Sequence, residues 1–448
     1  MSVKLSSILT RLNNKYILSL AGNGIMSGVG MITSVILLRA LSIHDMGIWI
    51  LFFTSFLLLD TIRSGFLTVA FIKFFSGAEE ERGDEIVGST WIIAIAITAF
   101  FALLNIPAYF LGDYIENEGL SLFFTWFGIA YIASLPFFVA GCILQAKQRF
   151  DQLLILRIFN QGSFVVLLFI FIAYDNINVH TVIYSYIISN LFSSLVGIFR
   201  GWTLLGKIKY VSKTALNELY HFGKFSVGTA LSASLFGTAD KFIINFILGP
   251  AALAIYDTGG KLIQVVEIPL RSFIATAMPT LSSYYNKGLK QEVLLVMKKY
   301  IGMITIMLVP FILLTFIFAD YIILILGGEK YVTSAAPNIL RIFMIISILY
   351  PVDRFLALTL DVIHQPKINF YKVIVMLIVT IITDIIGIYL TGNVFGVVIA
   401  TVFPVLTGII ISFYALNKHY ERFNFIDIYV LGFKELKILL TNSLGFAK

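Results

Sequence analysis

One predicted helix of the chain, over residues 251–284, carries charged and amide side chains that fall on a single face. At 3.6 residues per turn they lie within about one third of the helix circumference. This stripe consists of Asp257, Lys261, Gln264, Glu267 and Arg271. The flanking residues are apolar, and an ionisable side chain deep in a bilayer costs about 2.5–3.5 kcal/mol. The stripe therefore lines a wet cavity or pairs inside a helix bundle. A wet stripe would recognise a charged or polar molecule that crosses the membrane.

Ion pairing is the alternative to solvation, and the spacing allows it. Asp257 with Lys261 and Glu267 with Arg271 are i,i+4 neighbours, and Asp60 with Arg63 are i,i+3 neighbours on another predicted helix. Pairing and cavity lining are compatible, because a paired side chain can still face water. The other ionisable residues inside predicted helices are Arg157, Asp240, Lys241, Arg341, Asp353, Arg354, Asp361 and Asp384.

Three members of this set have specific alternatives. Asp384 has no nearby basic residue in the sequence, so it is either a proton or cation site or a satisfied polar contact. Arg341 lies close to the start of its predicted helix and Arg157 is similar, so both side chains could instead reach the membrane interface.

The residues that enzymes use for catalysis do not form a recognisable set. Cys142 is the single cysteine and the five histidines are scattered, so we expect no disulfide, no metal site and no catalytic residues. The segment Gly201–Lys207 resembles a phosphate-binding loop, but Ile208 replaces the required Ser or Thr and no strand precedes it. A polymerase or ligase would also need a large external loop, and the predicted external turns have about ten residues or fewer. We therefore predict no enzyme activity and no cofactor.

The composition decides which elements must position these charges. Of the 448 residues, 59% are hydrophobic and only 13% are charged, about half of the usual soluble share of charge. A membrane-spanning helix needs about 20 apolar residues, so about twelve spans occupy nearly the whole chain. We predict an all-α polytopic membrane protein, with a retained first helix in place of a cleaved signal peptide. The predicted spans are 16–38, 47–72, 86–111, 120–145, 152–174, 181–200, 223–248, 251–284, 298–326, 335–362, 369–390 and 394–416.

The distribution of basic residues predicts the orientation. With the N-terminus in the cytoplasm, most Lys and Arg fall on the inside, among them Lys4, Arg11 and the residues of the central linker, whereas Arg39 and Lys330 alone fall in outside turns. This asymmetry explains the net charge of +7 without nucleic acid, because the excess faces anionic membrane lipids. We place both termini in the cytoplasm and the protein in the inner membrane. The apolar run Ile426–Phe433 is too short to span and predicts an interfacial helix.

The two halves of the chain resemble each other at an offset of 207 residues. This shift places Asp60 on Glu267 and Asp113-Tyr114 on Asp320-Tyr321, and a slip of one residue places Arg63 on Arg271. A longer connection later places Leu135-Pro136 on Tyr350-Pro351. We predict two parallel six-helix repeats. Their bounds are 1–200 for the first lobe, 201–222 for a cytoplasmic linker, 223–416 for the second lobe and 417–448 for a cytoplasmic tail.

Motifs around predicted spans 7 and 8 resemble those of the polysaccharide and oligosaccharide-lipid flippases of the MOP exporter superfamily, which includes O-antigen flippases of lipopolysaccharide synthesis. The residues that carry the resemblance are Phe222-Gly223-Lys224, Ala239-Asp240-Lys241, Leu248-Gly249-Pro250, Ile255-Tyr256, Lys261-Leu262 and Met278-Pro279, together with Arg39-Ala40-Leu41 and Met46-Gly47-Ile48-Trp49 in the first half. Relatives tend to have Arg where this chain has Lys241.

The resemblance implies two six-helix lobes in a V, alternating access and a cationic cavity. It implies a cargo such as an undecaprenyl-pyrophosphate-linked oligosaccharide. The cationic residues that would hold the pyrophosphate are Arg63, Lys241, Lys261, Arg271 and Arg354, since guanidinium groups fork onto phosphate oxygens.

The acidic residues would couple protons or Na⁺ or serve as ion-pair partners. They are Asp60, Asp240, Asp257, Glu267 and Asp384. The membrane potential, membrane lipids and polysaccharide-assembly proteins complete the expected partners. The alternative is a cation-coupled multidrug exporter of the same superfamily, although the many basic residues inside the spans favour an anionic cargo.

Overall fold

The computed structural model describes residues 15–425 and 427–434, and every regular element in that part is helical. The first eight helices are α1 (Lys15–Ala40), α2 (Ile43–Phe75), α3 (Glu80–Leu111), α4 (Glu118–Ala133), α5 (Leu135–Ala146), α6 (Phe150–Ala173), α7 (Val179–Phe199) and α8 (Lys213–Phe236). The others are α9 (Ala239–Leu248), α10 (Pro250–Gly260), α11 (Ile263–Asn286), α12 (Lys290–Ile317), α13 (Ala319–Gly327), α14 (Glu329–Val332), α15 (Ala336–Ile346), α16 (Tyr350–Val362), α17 (Pro366–Thr391), α18 (Phe395–Ala400) and α19 (Val402–His419). Lys4, Arg11, Ile426 and the tail beyond residue 434 lie outside the described residues.

The predicted number of spans is confirmed. Over the described ranges, nine helical segments are long and apolar enough to cross a membrane, and the number rises to twelve when each of three bent pairs forms one span. The bent pairs are α4 with α5, α8 with α9, and α10 with α11, with bends of 46°, 46° and 45°. The all-α polytopic fold class is therefore confirmed.

Short polar residues begin several of these helices. Ser42 accepts a hydrogen bond from the Asp45 amide at the start of α2, at 3.0 Å. At the start of α7, Asn178 and Thr181 form a reciprocal capping box. Each cap satisfies a backbone N–H that has no partner within the helix, so the apolar spans begin at defined residues of the chain.

Proline and glycine set the breaks inside the spans. Pro136 and Pro351 each lie in the first turn of a second helical segment, α5 and α16, where the missing N–H costs nothing. These are the positions that the repeat places on each other. The bend between α10 and α11 comes directly after Gly259-Gly260, whereas Pro269 lies further along the chain, inside α11. A Cβ on Gly259 would lie 2.5 Å from Ile339, so α10 packs too closely against α15 for a side chain.

Contacts within the chain group it into two units, Met1–Ser234 and Leu235–Lys448. In the first unit, a buried cluster that includes Phe71, Val87 and Ile143 joins α2, α3 and α5. In the second unit, a larger cluster that includes Leu281, Met297 and Phe355 joins α11, α12 and α16. The predicted lobe and linker bounds at 200 and 223 stay a prediction.

The segment that resembles a phosphate-binding loop is fixed onto α3. Trp91 donates its indole N–H to the Thr203 carbonyl at 2.9 Å, and Ser89 and Ser212 are linked by two hydrogen bonds of 3.3 Å. Residues 205–210 form a 3₁₀ turn. A Cβ on Gly88 would lie 2.6 Å from the Lys207 carbonyl oxygen, so glycine lets the turn lie directly against α3.

The chain after α19 folds back onto the second unit. Residues 427–434 are helical, and Ile428 is fully buried among the side chains of α12 and its neighbours. Gly302 of α12 faces Gly432, and Lys298 pairs with Asp427 at 3.3 Å. Val430 and Phe433 remain exposed. The predicted interfacial position of this helix stays a prediction.

We expect Gly302→Val to release the 427–434 helix from α12. A Cβ at Gly302 would lie 2.2 Å from the Ile428 carbonyl oxygen, so the two backbones cannot keep their present distance. Limited proteolysis of the purified protein should then cut between residues 419 and 427 faster than in wild type. Gly162→Val is the matched control, because a Cβ there meets nothing within 4 Å. Equal cleavage rates in the Gly302 variant and wild type would contradict the expected role of this glycine contact.

Candidate functional site

In the first unit, the charged pair of α2 is buried. The Arg63 side chain is 1% exposed, and its Nη2 atom lies 2.6 Å from Asp60 Oδ1. The same carboxylate oxygen accepts from Nε at 3.0 Å. The ion pair predicted from the i,i+3 spacing is therefore present.

The remaining donors of Arg63 are satisfied by the broken fourth span. Ser134 Oγ accepts at 2.9 Å and the Tyr131 carbonyl at 3.3 Å. The guanidinium lies 4.2 Å from the centre of the Tyr131 ring and 4.7 Å from that of Phe138. In this position Arg63 joins α2 to the break between α4 and α5 and is enclosed by protein. A bound anion would reach it only if these contacts opened.

In the second unit, the bend after Gly260 divides the predicted stripe into two clusters. Asp257 and Lys261 lie before or at the bend, and Glu267 and Arg271 lie after it. The Asp257 carboxylate is bridged by two ammonium groups, Lys241 Nζ and Lys261 Nζ, each at 2.7 Å. The predicted Asp257–Lys261 pair is present, and Lys241 is added to it from α9.

Two further carboxylates lie beside this first cluster. The Tyr256 hydroxyl donates to Asp240, which also accepts from the Lys241 amide at 2.9 Å. Asp384 on α17 is 1% exposed, and its Oδ2 atom has no hydrogen-bond partner among the described residues. Asp240 and Asp384 lie close enough to interact electrostatically. Spans 7 and 11 thus bring together two carboxylates, one of which lacks a cationic partner.

The second cluster is a carboxylate shared by two arginines. Glu267 Oε2 accepts from Arg271 at 2.6 Å, and Oε1 accepts from Arg354 of α16 at 2.9 Å. The arginine side chains are 78% and 48% exposed, and that of Glu267 is 20% exposed. The predicted Glu267–Arg271 pair is present, with Arg354 as a third member. The trio has a net charge of +1, and most of its donor groups remain open.

One buried ion pair was missed by the sequence analysis. Lys372 of α17 is 4% exposed and lies 3.1 Å from Asp353 of α16. Lys372 stands only six residues after Pro366 at the start of its helix, so its position in the sequence is typical of an interfacial lysine. The apolar residues around Lys372 could have identified it as a charge inside a span. The same criterion identified the other charged residues of the predicted spans.

Arg341 and Arg157, whose side chains could instead reach the membrane interface, have different partners. Arg341 pairs with Asp320 and donates to Asn338 at 2.7 Å. Arg157 donates to the amide oxygen of Asn23 at 3.0 Å. In the described ranges, no group of three or more His, Cys, Asp or Glu residues could hold a metal ion.

Comparison with known proteins identifies the family. A family model described as "Polysaccharide biosynthesis protein" matches residues 36–336, which is more than half of the chain. Agl15 of Haloferax volcanii, described as a probable low-salt glycan biosynthesis flippase, is 21% identical over 310 residues. That match covers 69% of this chain and 62% of the relative, so the chain spans less than two thirds of the relative's length.

Solved structures share the fold at low sequence identity. The lipid II flippase MurJ matches with a TM-score of 0.73 and 14% identity, over 96% of this chain and 93% of that one. A multidrug resistance MATE family transporter of the MOP superfamily matches with a TM-score of 0.70 and 14% identity, over 95% and 99%. A MOP superfamily transporter from Pyrococcus furiosus matches with a TM-score of 0.58 and 16% identity, over 96% and 95%. The chain is thus a multi-pass membrane protein that shares the fold of these solved transporters, and it belongs to the polysaccharide biosynthesis protein family.

Proposed function

We propose that this protein moves a lipid-linked, pyrophosphate-bearing oligosaccharide across the inner membrane by alternating access. Membership of the polysaccharide biosynthesis protein family and the similarity to a protein described as a glycan biosynthesis flippase support a glycan cargo. The lipid tail stays in the bilayer, while the sugars and the phosphates cross through a wet path. Both termini lie in the cytoplasm in this proposal, and the cargo moves towards the outer leaflet, where polysaccharide-assembly proteins receive it.

The observation that carries this proposal is the trio of Glu267, Arg271 and Arg354. A carboxylate between two guanidinium groups occupies the position that a phosphate oxygen pair would take, and arginine binds both groups with the same forked geometry. Because the two arginines remain largely exposed, a pyrophosphate with more acceptor oxygens and more charge can displace Glu267. Binding then exchanges an internal ion pair for a cargo ion pair, which avoids leaving an arginine unpaired in the membrane.

The membrane potential favours the outward direction for such a cargo. An anion that leaves an inside-negative cell gains about 2.3 kcal/mol per charge per 100 mV. Net transport of a pyrophosphate-linked sugar should therefore accelerate when an inside-negative potential is imposed.

Transport by the purified protein in liposomes tests the proposal. The cargos to compare are an undecaprenyl-pyrophosphate oligosaccharide, the same oligosaccharide on an uncharged lipid, and a lipophilic cationic drug. We expect movement of the pyrophosphate-linked sugar alone. Movement of the drug without the sugar would replace the proposal with a multidrug exporter, and failure of all three cargos in folded protein would reject both.

We further propose that Asp240 and Asp384 take up the coupling ion, H⁺ or Na⁺. The support is their proximity on spans 7 and 11 and the unsatisfied Oδ2 atom of Asp384, since a buried carboxylate without a partner is costly unless it binds a cation or a proton.

Asp384→Asn removes the charge of the carboxylate that lacks a partner in the described part of the chain. We expect this variant to transport at a rate that no longer depends on a Na⁺ or pH gradient, because the amide takes up no proton and has no negative charge to attract Na⁺. Rates with and without each gradient should be compared in liposomes. Asp361→Asn is the control, since Asp361 is exposed and bonded to Asn369. A gradient response equal to that of wild type in the Asp384 variant would remove this carboxylate from the coupling mechanism.

A further inference from the structure

A pocket lies in the turn that follows the sixth span. The pocket has a volume of about 410 Å³ and is lined by residues that include Gly201, Thr203, Gly206, Lys207, Lys209 and Tyr210. Its size is within the range of about 300–1,000 Å³ that small-molecule sites occupy. Since α7 ends at Phe199, the pocket lies at the level where a spanning helix leaves the bilayer.

The walls of the pocket are held in place by contacts inside the first unit. Leu204 and Gly201 adopt left-handed backbone conformations, with φ of 47° and 67°, and these reverse the chain twice within four residues. The bonds from Trp91 and Ser89 then fix the turn to α3. The pocket is therefore a built feature of the fold.

The charge around the pocket is positive and only partly neutralised. Lys207 pairs with Asp84 at 2.5 Å, and this hydrogen bond raises the pKa of Lys207. Lys209 contacts the Tyr210 ring, 5.1 Å from its centre, and Arg200 faces the Trp202 ring at 6.0 Å. No carboxylate lies within ion-pairing distance of Lys209 or Arg200 among the residues from 15 to 434 that the structure describes. An anion entering the pocket would meet Lys209, which lines it, and Arg200 lies beside the lining residue Gly201 in the chain.

The rim of the pocket is apolar and exposed. Leu205 and Tyr210 line the pocket and are exposed. Phe199, which is 84% exposed, and Val211 adjoin lining residues in the chain. Aromatic and apolar side chains at this level are typical of contact with the lipid interface. A ligand that fits both the basic pocket and the apolar rim would carry a phosphate group and a hydrocarbon chain.

We propose that this pocket binds the headgroup of an anionic phospholipid, with the phosphate near Lys209 and Arg200 and the acyl chains against Phe199 and Leu205. The lipid would be a bound partner of the protein, separate from the transported cargo. Free inorganic phosphate shares the headgroup chemistry but leaves the apolar rim without a partner.

Native mass spectrometry of the full-length protein tests this assignment. Titration with phosphatidylglycerol should give a first dissociation constant well below that of phosphatidylcholine with the same acyl chains. Each basic residue near an anionic lipid contributes a factor of roughly five. The variant R200Q/K209Q should therefore weaken phosphatidylglycerol binding roughly thirty-fold and leave phosphatidylcholine unchanged. K287Q, on an exposed residue elsewhere, is the charge control.

A second variant fills the pocket and keeps its charges. A Cβ on Gly206 meets nothing within 4 Å, so the side chain of Gly206→Leu enters open space without a clash. It should also weaken phosphatidylglycerol binding, whereas Gly162→Leu, at another open glycine, should not. Binding at the wild-type level by both pocket variants would overturn the proposal. Displacement of the lipid by excess inorganic phosphate would assign the pocket to free phosphate instead.

Discussion

Transport of the lipid-linked oligosaccharide should fall at least about a hundredfold in kcat/KM when Arg271 and Arg354 are both replaced by glutamine. Hydrogen bonds to charged groups contribute about 1.5–3 kcal/mol each, and this variant removes one such anchor on each arginine. Glutamine keeps much of the side-chain length and its polarity but cannot attract the pyrophosphate by charge. Initial rates in liposomes at several cargo concentrations provide the measurement.

A lower transport rate could come from losing the cargo site or from leaving Glu267 without its two arginine partners, and a further variant distinguishes these causes. The triple variant E267Q/R271Q/R354Q leaves no charge of the trio unpaired, so it should fold as well as wild type while transport stays low. Arg149→Gln is the matched control, because Arg149 is half-exposed and pairs with Asp151. Wild-type transport by the double variant would show that these arginines do not hold the cargo.

Replacing Arg63 with methionine should destabilise the protein by about 3–5 kcal/mol, the usual cost of breaking a buried ion pair. The substitution leaves Asp60 without its counter-ion and removes the donor to Ser134. It also removes the stacking on Tyr131. Thermal unfolding of the purified protein, followed by loss of helical signal, should show a clearly lowered midpoint.

A partner substitution and a kinetic readout distinguish this structural role from cargo binding. Asp60→Asn together with Arg63→Met removes both charges and should recover part of the lost stability, because position 60 no longer carries a charge that lacks its counter-ion. The KM of the folded fraction should match that of wild type. If Arg63→Met raised KM and did not lower stability, Arg63 would be a cargo-binding residue after all.

The sequence predicted three ion pairs between charged residues of a single predicted span, and it missed the pairs that join two spans. Asp60–Arg63, Asp257–Lys261 and Glu267–Arg271 all follow from three- and four-residue spacing, which puts side chains on neighbouring turns. Arg354 reaches Glu267 across 87 residues and Lys241 reaches Asp257 across 16. Such contacts depend on which helices pack together, and spacing along one helix carries no information about that.

The bend in span 8 does not coincide with the strongest local signal for a kink. That signal is proline, and Pro269 lies inside α11. The structure bends the span after Gly259-Gly260 instead, where close packing against Ile339 excludes a side chain. One continuous stripe therefore became two clusters, with Asp257 and Glu267 at their respective centres. The grouping of the predicted site residues could not have been read from their helical angles alone.

The location of each ion pair also affects how the chain enters the membrane during synthesis. Asp60–Arg63 and Glu267–Arg271 lie within single helices, so each span carries its own counter-ion as it leaves the translocation machinery. Lys372 differs, because its partner Asp353 belongs to the preceding span. Since a lone charge costs about 2.5–3.5 kcal/mol on insertion, the eleventh span should insert more efficiently when the tenth is still close by. Asp353→Asn should therefore lower the insertion efficiency of the eleventh span, a defect of assembly that precedes any effect on transport.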